Sequence, residues 1–178
     1  FIALRCTMET TLHKDILQAY SNLPKSRTST IPILKIFVSY VKPSFLFKSD
    51  ILIPIHLGRE VATEITKDGK ISEQDYNWLI TNCIGDNEGK ENISHLNRRI
   101  GFLTGTYWAW KNYEKIGNPE YFGSFGYRRF LAPTFLEKIQ KYDLIAPLQD
   151  TQRDSVKEQF TRSHGKAFYN AAINVIQN

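Results

Sequence analysis

The sequence predicts an α/β fold of three layers, with a mostly parallel sheet flanked by helices. Three observations carry that prediction. Runs of β-branched and aromatic residues alternate with stretches of helical period from Ile33 onward. The composition is that of a globular chain, with 42% hydrophobic, 23% charged and 13% aromatic residues. The longest apolar stretch, Ile33 to Val41, is interrupted by Lys35 and falls far short of the ~20 residues that span a bilayer.

The 178 residues suffice for one domain of ordinary size. A chain of that length buries roughly 70% of its unfolded surface, so neither disulfides nor metal are needed to fold it. Residues 8–20 have helical spacing at Leu12, Ile16, Leu17 and Tyr20. Asn22 to Pro32 is polar, basic and bounded by prolines, and marks a linker. The expected organisation is therefore an N-terminal helical segment and linker over 1–32, followed by an α/β domain over 33–178.

Within that domain, 33–40 (ILKIFVSY) reads as a buried strand closed by Pro43. Residues 51–58 (ILIPIHLG) form a second strand, whose Pro54 suits an edge or a bulge. Ser72 and Asp75 resemble a capping box, opening a helix with Tyr76, Leu79, Ile80 and Cys83 on one face. Gly85 is its expected terminator, before a polar loop over 85–92. Residues 94–115 give the strongest helical signal, capped by Ser94, with Leu96, Ile100, Leu103, Tyr107 and Trp110 along an apolar stripe. Residues 121–130 (YFGSFGYRRF) read as a strand with a basic end, 133–142 as a short helix, and 142–147 (YDLIAP) as a fourth strand. Helices over about 154–163 and 166–177 close the chain, the second with Phe168, Ala171, Ala172, Val175 and Ile176 on one face.

The net charge is +5, but +4 of it falls in residues 1–50 and only +1 in residues 51–178. No dense basic stripe appears, which argues against nucleic-acid binding. The basic first segment is the one feature that favours peripheral contact with a membrane surface. Two cysteines and the absence of a leader-like start point to a cytoplasmic setting. A chain that starts at Phe1, with Met8 as its only methionine, reads as a fragment of a longer polypeptide.

Ligands of parallel α/β sheets bind outside the carboxyl ends of the strands, so candidate chemistry is sought there. Tyr127, Arg128 and Arg129 end the third predicted strand, and an arginine fork suits a phosphate or carboxylate. Tyr40 and Lys42 follow the first strand, with Lys42 as a second cation. His56 ends the second strand and is a candidate proton donor or acceptor. On the long helix Asn97, Gly101, Thr104 and Trp108 form a second stripe, Asn97 offering hydrogen bonds and Trp108 a flat face for a sugar or base. Asp86 lies in a glycine-flanked loop and Asp143 in the fourth predicted strand, where an isolated carboxylate must be bonded, paired or functional. No Asp-x-Asp pair and no Cys/His zinc spacing occur, so no metal site is assigned, and manganese or magnesium is compatible with the chemistry without being called for. Dinucleotide, P-loop and nucleophile-elbow patterns are also missing.

The ordered segments KIFVSYVKPSF, ILIPIHLGRE, NISHLNRRIGFLTGTYWAWKNY, GNPEYFGSFGYRRF and YDLIAP resemble a bacterial family, domain of unknown function 4422, of capsular-polysaccharide and lipopolysaccharide gene clusters. The resemblance runs from about Ile33 to Asn178. It implies a nucleotide-sugar-dependent glycosyltransferase, often fused to other transferase domains and continuing past this chain's end. It also implies a nucleotide-sugar donor and a glycan or lipid-linked acceptor. Under that reading Arg128 or Arg129 holds the diphosphate with Lys42, Asn97 and Trp108 hold a sugar or base, and Tyr40 and Tyr127 are further substrate-binding candidates. Asp143, then Asp86 or His56, is the candidate general base. Three positions depart from the family pattern: Val41 and Gly126 stand where histidines are usual, and Phe102 where a glutamate is usual. The alternative is a non-catalytic carbohydrate-binding or scaffold domain of a larger transferase.

Overall fold

The computed structural model describes residues 2–24, 28, 33–66, 69–89, 91–128, 134, 136–139, 141–143 and 155–177. Four strands, β1 (Leu34–Tyr40), β2 (Leu52–His56), β3 (Ile84–Gly85) and β4 (Tyr121–Gly126), form one sheet in the order β3-β2-β1-β4. Every pairing is parallel. Tyr40 lies beside His56 at one edge of β1, and Ser39 beside Gly126 at the other.

Side chains of alternate residues leave the sheet on opposite faces. On one face Val38, Leu52 and Phe125 gather with Phe47 and with Ile16 and Tyr20 of helix α1 (Ile2–Ser21). The Tyr20 ring meets Phe125 at 6.2 Å, and its burial pushes the phenol well above its usual range. Helix α2 (Glu73–Asn82) covers the same face at the carboxyl end, where Trp78 meets Tyr40 and Tyr76 meets His56. Ser72 caps α2 by accepting from the Asp75 amide at 3.1 Å. The other face buries Phe37, Ile55 and Leu57 against Trp108, Ala109 and Ile116. Trp108 and Ala109 belong to helix α4 (Leu103–Lys111), so the sheet has helices on both faces.

Two predicted strands are shortened, to Leu52–His56 and Tyr121–Gly126. Pro54 lies in β2, whose ladder with β3 begins only at Ile55. The Leu57 amide donates across to Tyr40 of β1, so the alternate position, Pro54, turns its missing donor outward, where no partner is required. The two-residue β3 is too short to give a pattern in the sequence. Tyr142 and Asp143 are exposed and not in a strand, while 144–147 lie outside the described residues.

The long helix predicted over 94–115 is broken. A 3-10 turn at Ser94–Leu96 leads into α3 (Asn97–Ile100), and the chain then turns at Gly101 before α4. Gly101 has φ 56° and ψ −127°, a conformation open to glycine alone. The break changes the helical phase of α4. Leu103 and Trp110 of the predicted apolar stripe are exposed, whereas Thr104, Gly105, Trp108 and Ala109 are buried. Gly105 allows this contact, because a Cβ there would sit 2.7 Å from Leu57 Cδ2.

Residues Phe1–Asp143 and Leu144–Asn178 form two compact units. The first also contains the short helix α5 (Leu136–Ile139), which buries both of its terminal residues. In the second, α6 (Val156–His164) and α7 (Lys166–Gln177) meet at Gly165, whose φ is 88°. Ser155 and Glu158 make a full capping box on α6, and Phe160 packs edge-on to Tyr169 at 6.0 Å. Phe168 and Ala171, assigned to one apolar face, are exposed.

Candidate functional site at the carboxyl ends of the strands

Two different structures stand at the carboxyl end of the sheet. The first centres on Asp86, immediately after β3 and fully buried. Its Oδ2 accepts from the Gly58 amide at 2.7 Å and the Thr104 hydroxyl at 2.6 Å. Its Oδ1 accepts from the Arg59 amide at 3.1 Å and the Ser94 hydroxyl at 2.5 Å. One carboxylate thus ties the turn after β2 to the 3-10 turn and to α4. A buried charge survives when donors replace its water, and here four do.

Arg59 extends the joint. Its guanidinium donates to Glu88 at 3.0 Å and to the carbonyls of Cys83 at 2.6 Å and Leu79 at 3.3 Å, and its Nε to His56 Nδ1 at 3.3 Å. Burial, then the Arg59 cation, push His56 down to about 4, with Asp86 opposing. His56 is therefore a neutral acceptor at pH 7. Asn97 donates to Thr104 Oγ1 at 3.0 Å and to the Gly101 carbonyl at 2.8 Å, fixing the break between α3 and α4. Gly58, at φ 66°, is needed beside it, since a Cβ there would lie 2.7 Å from Asn97 Oδ1.

These contacts give several sequence-assigned residues other work. Asp86 and His56, read as candidate bases, are 0% and 1% exposed and committed to protein donors. A general base must come within hydrogen-bond reach of its substrate, and both side chains are closed off from solvent in this structure. Trp108, read as a stacking surface, is 0% exposed, with its ring edge-on to Phe37 and its Nε1 donating to the Glu88 carbonyl at 2.7 Å. Tyr40 is also fully buried: its hydroxyl donates to the Phe45 carbonyl at 2.8 Å and accepts from the Phe47 amide at 2.9 Å, and burial raises the phenol to about 12. Asp143 is exposed in a bend, not in a buried strand. Arg129 lies outside the described residues. Sequence reasoning missed Arg59 and Ser94 as members of the joint. Arg59 directly follows the strand-ending glycine, the one signal that pointed to it.

The second structure is an open cleft of about 550 Å³ between the ends of β1 and β4, lined by Ser39, Val41, Gly126, Tyr127 and Arg128. From β1 the chain builds outward through β2 and β3, and β4 then returns on the other side of β1. The cleft thus lies where strand order reverses, the place in open α/β sheets where a crevice forms. Ser39 and Gly126 face each other in register, and a Cβ on Gly126 would meet open space. Arg128 is exposed, 5.1 Å over the Tyr127 ring, which stacks on Tyr40 at 5.6 Å and 15°. The Tyr127 hydroxyl is buried with no hydrogen-bond partner among the described residues. Lys42, adjoining Val41, is exposed. Of the assigned residues the cleft brings together Tyr127 and Arg128, with Tyr40 beneath them.

The family model described as Domain of unknown function (DUF4422) matches residues 35–178. The chain belongs to that family. The match takes in all four strands except the first residue of β1, and both the Asp86 joint and the cleft. One solved structure, of the WbbM bifunctional glycosyltransferase in its apo form, is 32% identical over 53% of this chain and 13% of that one, with a TM-score of 0.37. The chain therefore spans a small part of that protein's length. No curated protein matches it. Among the described residues, no helix is long and apolar enough to cross a membrane, and no three His, Cys, Asp or Glu side chains gather where a metal ion would be held.

Proposed function

We propose that this member of the family is a nucleotide-sugar-dependent glycosyltransferase domain whose donor binds in the β1/β4 cleft. The observation that carries the proposal is the exposed Arg128 guanidinium at the point where strand order reverses. A departing diphosphate develops negative charge, and a positioned guanidinium stabilises it where that charge forms. Stacking on Tyr127, itself stacked on Tyr40, limits the arginine's freedom before a ligand arrives. Lys42 is the second cation, and Arg129 follows Arg128 in sequence. Of the three groups weighed as the general base, Asp143 alone is exposed, and it is retained for that role. The motif resemblance supports a bacterial surface glycan or its lipid-linked precursor as acceptor, on the cytoplasmic side, within a larger polypeptide.

Thermal unfolding with UDP-, GDP-, CMP- and dTDP-sugars, each with and without manganese, tests this directly. A donor at about 100 times its dissociation constant adds roughly 2.7 kcal/mol, a rise of about 5–11 °C for a domain of this size. One nucleotide class should produce it, and Arg128→Ala should abolish it. No rise with any donor would overturn the reading.

One set of observations favours a second reading, a non-catalytic carbohydrate-binding or scaffold domain. Asp86 and His56 are sealed, and Val41 and Gly126, which stand where the resembling family has histidines, both line the cleft. Under that reading a sugar or donor binds without being hydrolysed or transferred. A turnover assay on the donor that shifts the unfolding temperature separates the two readings.

A further inference from the structure

A second cavity, of about 510 Å³, lies at the amino ends of β1 and β2, the opposite end of the sheet from the cleft. Its volume is within the range of small-molecule sites. Three segments distant in sequence each send one lysine to it: Lys35 from β1, Lys48 from the loop before β2, and Lys115 after α4. Two of them belong to the basic first fifty residues. Against them stand Asp50 and Glu88. Glu88 is already engaged by the Arg59 guanidinium at 3.0 Å and the Gly85 amide at 2.7 Å. Lys35 is fixed by donating to the Asp50 carbonyl at 2.5 Å. Ile53, Ile84 and Ile116 give the cavity an apolar part, and Lys115 lies 5.7 Å from the ring of the buried Trp108 behind it.

We infer that this cavity is a second ligand site, for a phosphate ester whose non-ionic part is apolar. Three lysines border the cavity against two carboxylates, one of which is already paired with Arg59, and a multiply charged oxyanion suits such a lining better than a single carboxylate. The apolar part selects what the phosphate is attached to, through area removed from water. An alkyl phosphate, lipid-like, and an aryl phosphate, nucleotide-like, share this chemistry. The site is independent of whatever occupies the β1/β4 cleft.

Amide resonances of the ¹⁵N-labelled chain, titrated with hexyl phosphate, phenyl phosphate, inorganic phosphate and hexanol, test the inference. Either ester, or both, should move residues around 35, 48–54, 81–84 and 115–116, and the tighter one identifies the source. Inorganic phosphate and hexanol should each bind at least about tenfold more weakly, since each retains one half of the recognition. The double variant Lys48→Gln/Lys115→Gln, both exposed and neither in the core, should keep its unfolding temperature and weaken the ester about tenfold. Three results would each overturn the inference: no saturable shift with either ester, inorganic phosphate binding as tightly as the esters, or ester shifts confined to residues 126–128 and unaffected by the double variant.

Discussion

The Asp86 joint and the β1/β4 cleft stand at the same end of one sheet and are built on opposite rules. At the joint both Asp86 oxygens and all three Arg59 guanidinium nitrogens have partners, and Asp86 is sealed from solvent. At the cleft Arg128 faces solvent above a tyrosine whose hydroxyl has no partner among the described residues. A satisfied buried network stiffens, and an unsatisfied group keeps its capacity for something that arrives. The contrast teaches that the buried Asp86 carboxylate joins elements of the architecture, whereas the proposed recognition rests on the exposed Arg128.

The largest expected effect breaks the joint. Asp86→Ala takes the acceptor from the Gly58 and Arg59 amides and the Ser94 hydroxyl, leaves Thr104 only its 3.2 Å contact with the Gly101 carbonyl, and should cost about 4 kcal/mol in urea unfolding. Arg128→Ala, at an exposed position, should cost less than about 0.5 kcal/mol.

The next effect comes from pH. His56 protonates near 4 in the folded chain and near 6.5 when unfolded, so between those values the unfolded chain holds the extra proton. The contribution of His56 to stability is full above pH 6.5 and is lost as pH falls toward 4, by about 3 kcal/mol in all. Unfolding free energy measured across that window should slope less steeply in His56→Gln.

Gly58→Ala probes the same joint more gently, combining a positive φ with a Cβ pressed onto Asn97, and should cost about 2 kcal/mol in the same assay. The smallest stability effect belongs to the cleft. Tyr127→Phe removes a buried hydroxyl that has no partner among the described residues, so it should change stability by no more than about 1 kcal/mol, in the stabilising direction.

Much of the fold is legible in the sequence because its signals are local. The runs at 33–40, 51–58 and 121–130 contain β1, β2 and β4, and Ser72 opens α2 as its spacing predicts. The parallel arrangement follows from alternation of strand and helix. The features that escape are decided by tertiary contact. Whether Gly101 breaks a helix or merely weakens it depends on Asn97 and Thr104 closing around the turn. Asn97 and Trp108 stand out in the sequence as an unusual stripe, yet the stripe is the packed one, because Gly105 brings α4 down onto Leu57. Arg128 and Tyr127 are legible from position alone, at the carboxyl end of a strand. Arg59 is not, since nothing nearby in sequence shows that Leu79, Cys83 and Glu88 surround it.

The most direct test of this division is the donor-induced rise in unfolding temperature, compared across the native chain, Asp86→Asn and Arg128→Ala. Asp86→Asn should unfold at a lower temperature yet keep the rise, whereas Arg128→Ala should unfold where the native chain does and lose it. An Arg128→Ala chain that keeps the full rise, or an Asp86→Asn chain that remains folded and loses it, would contradict the account.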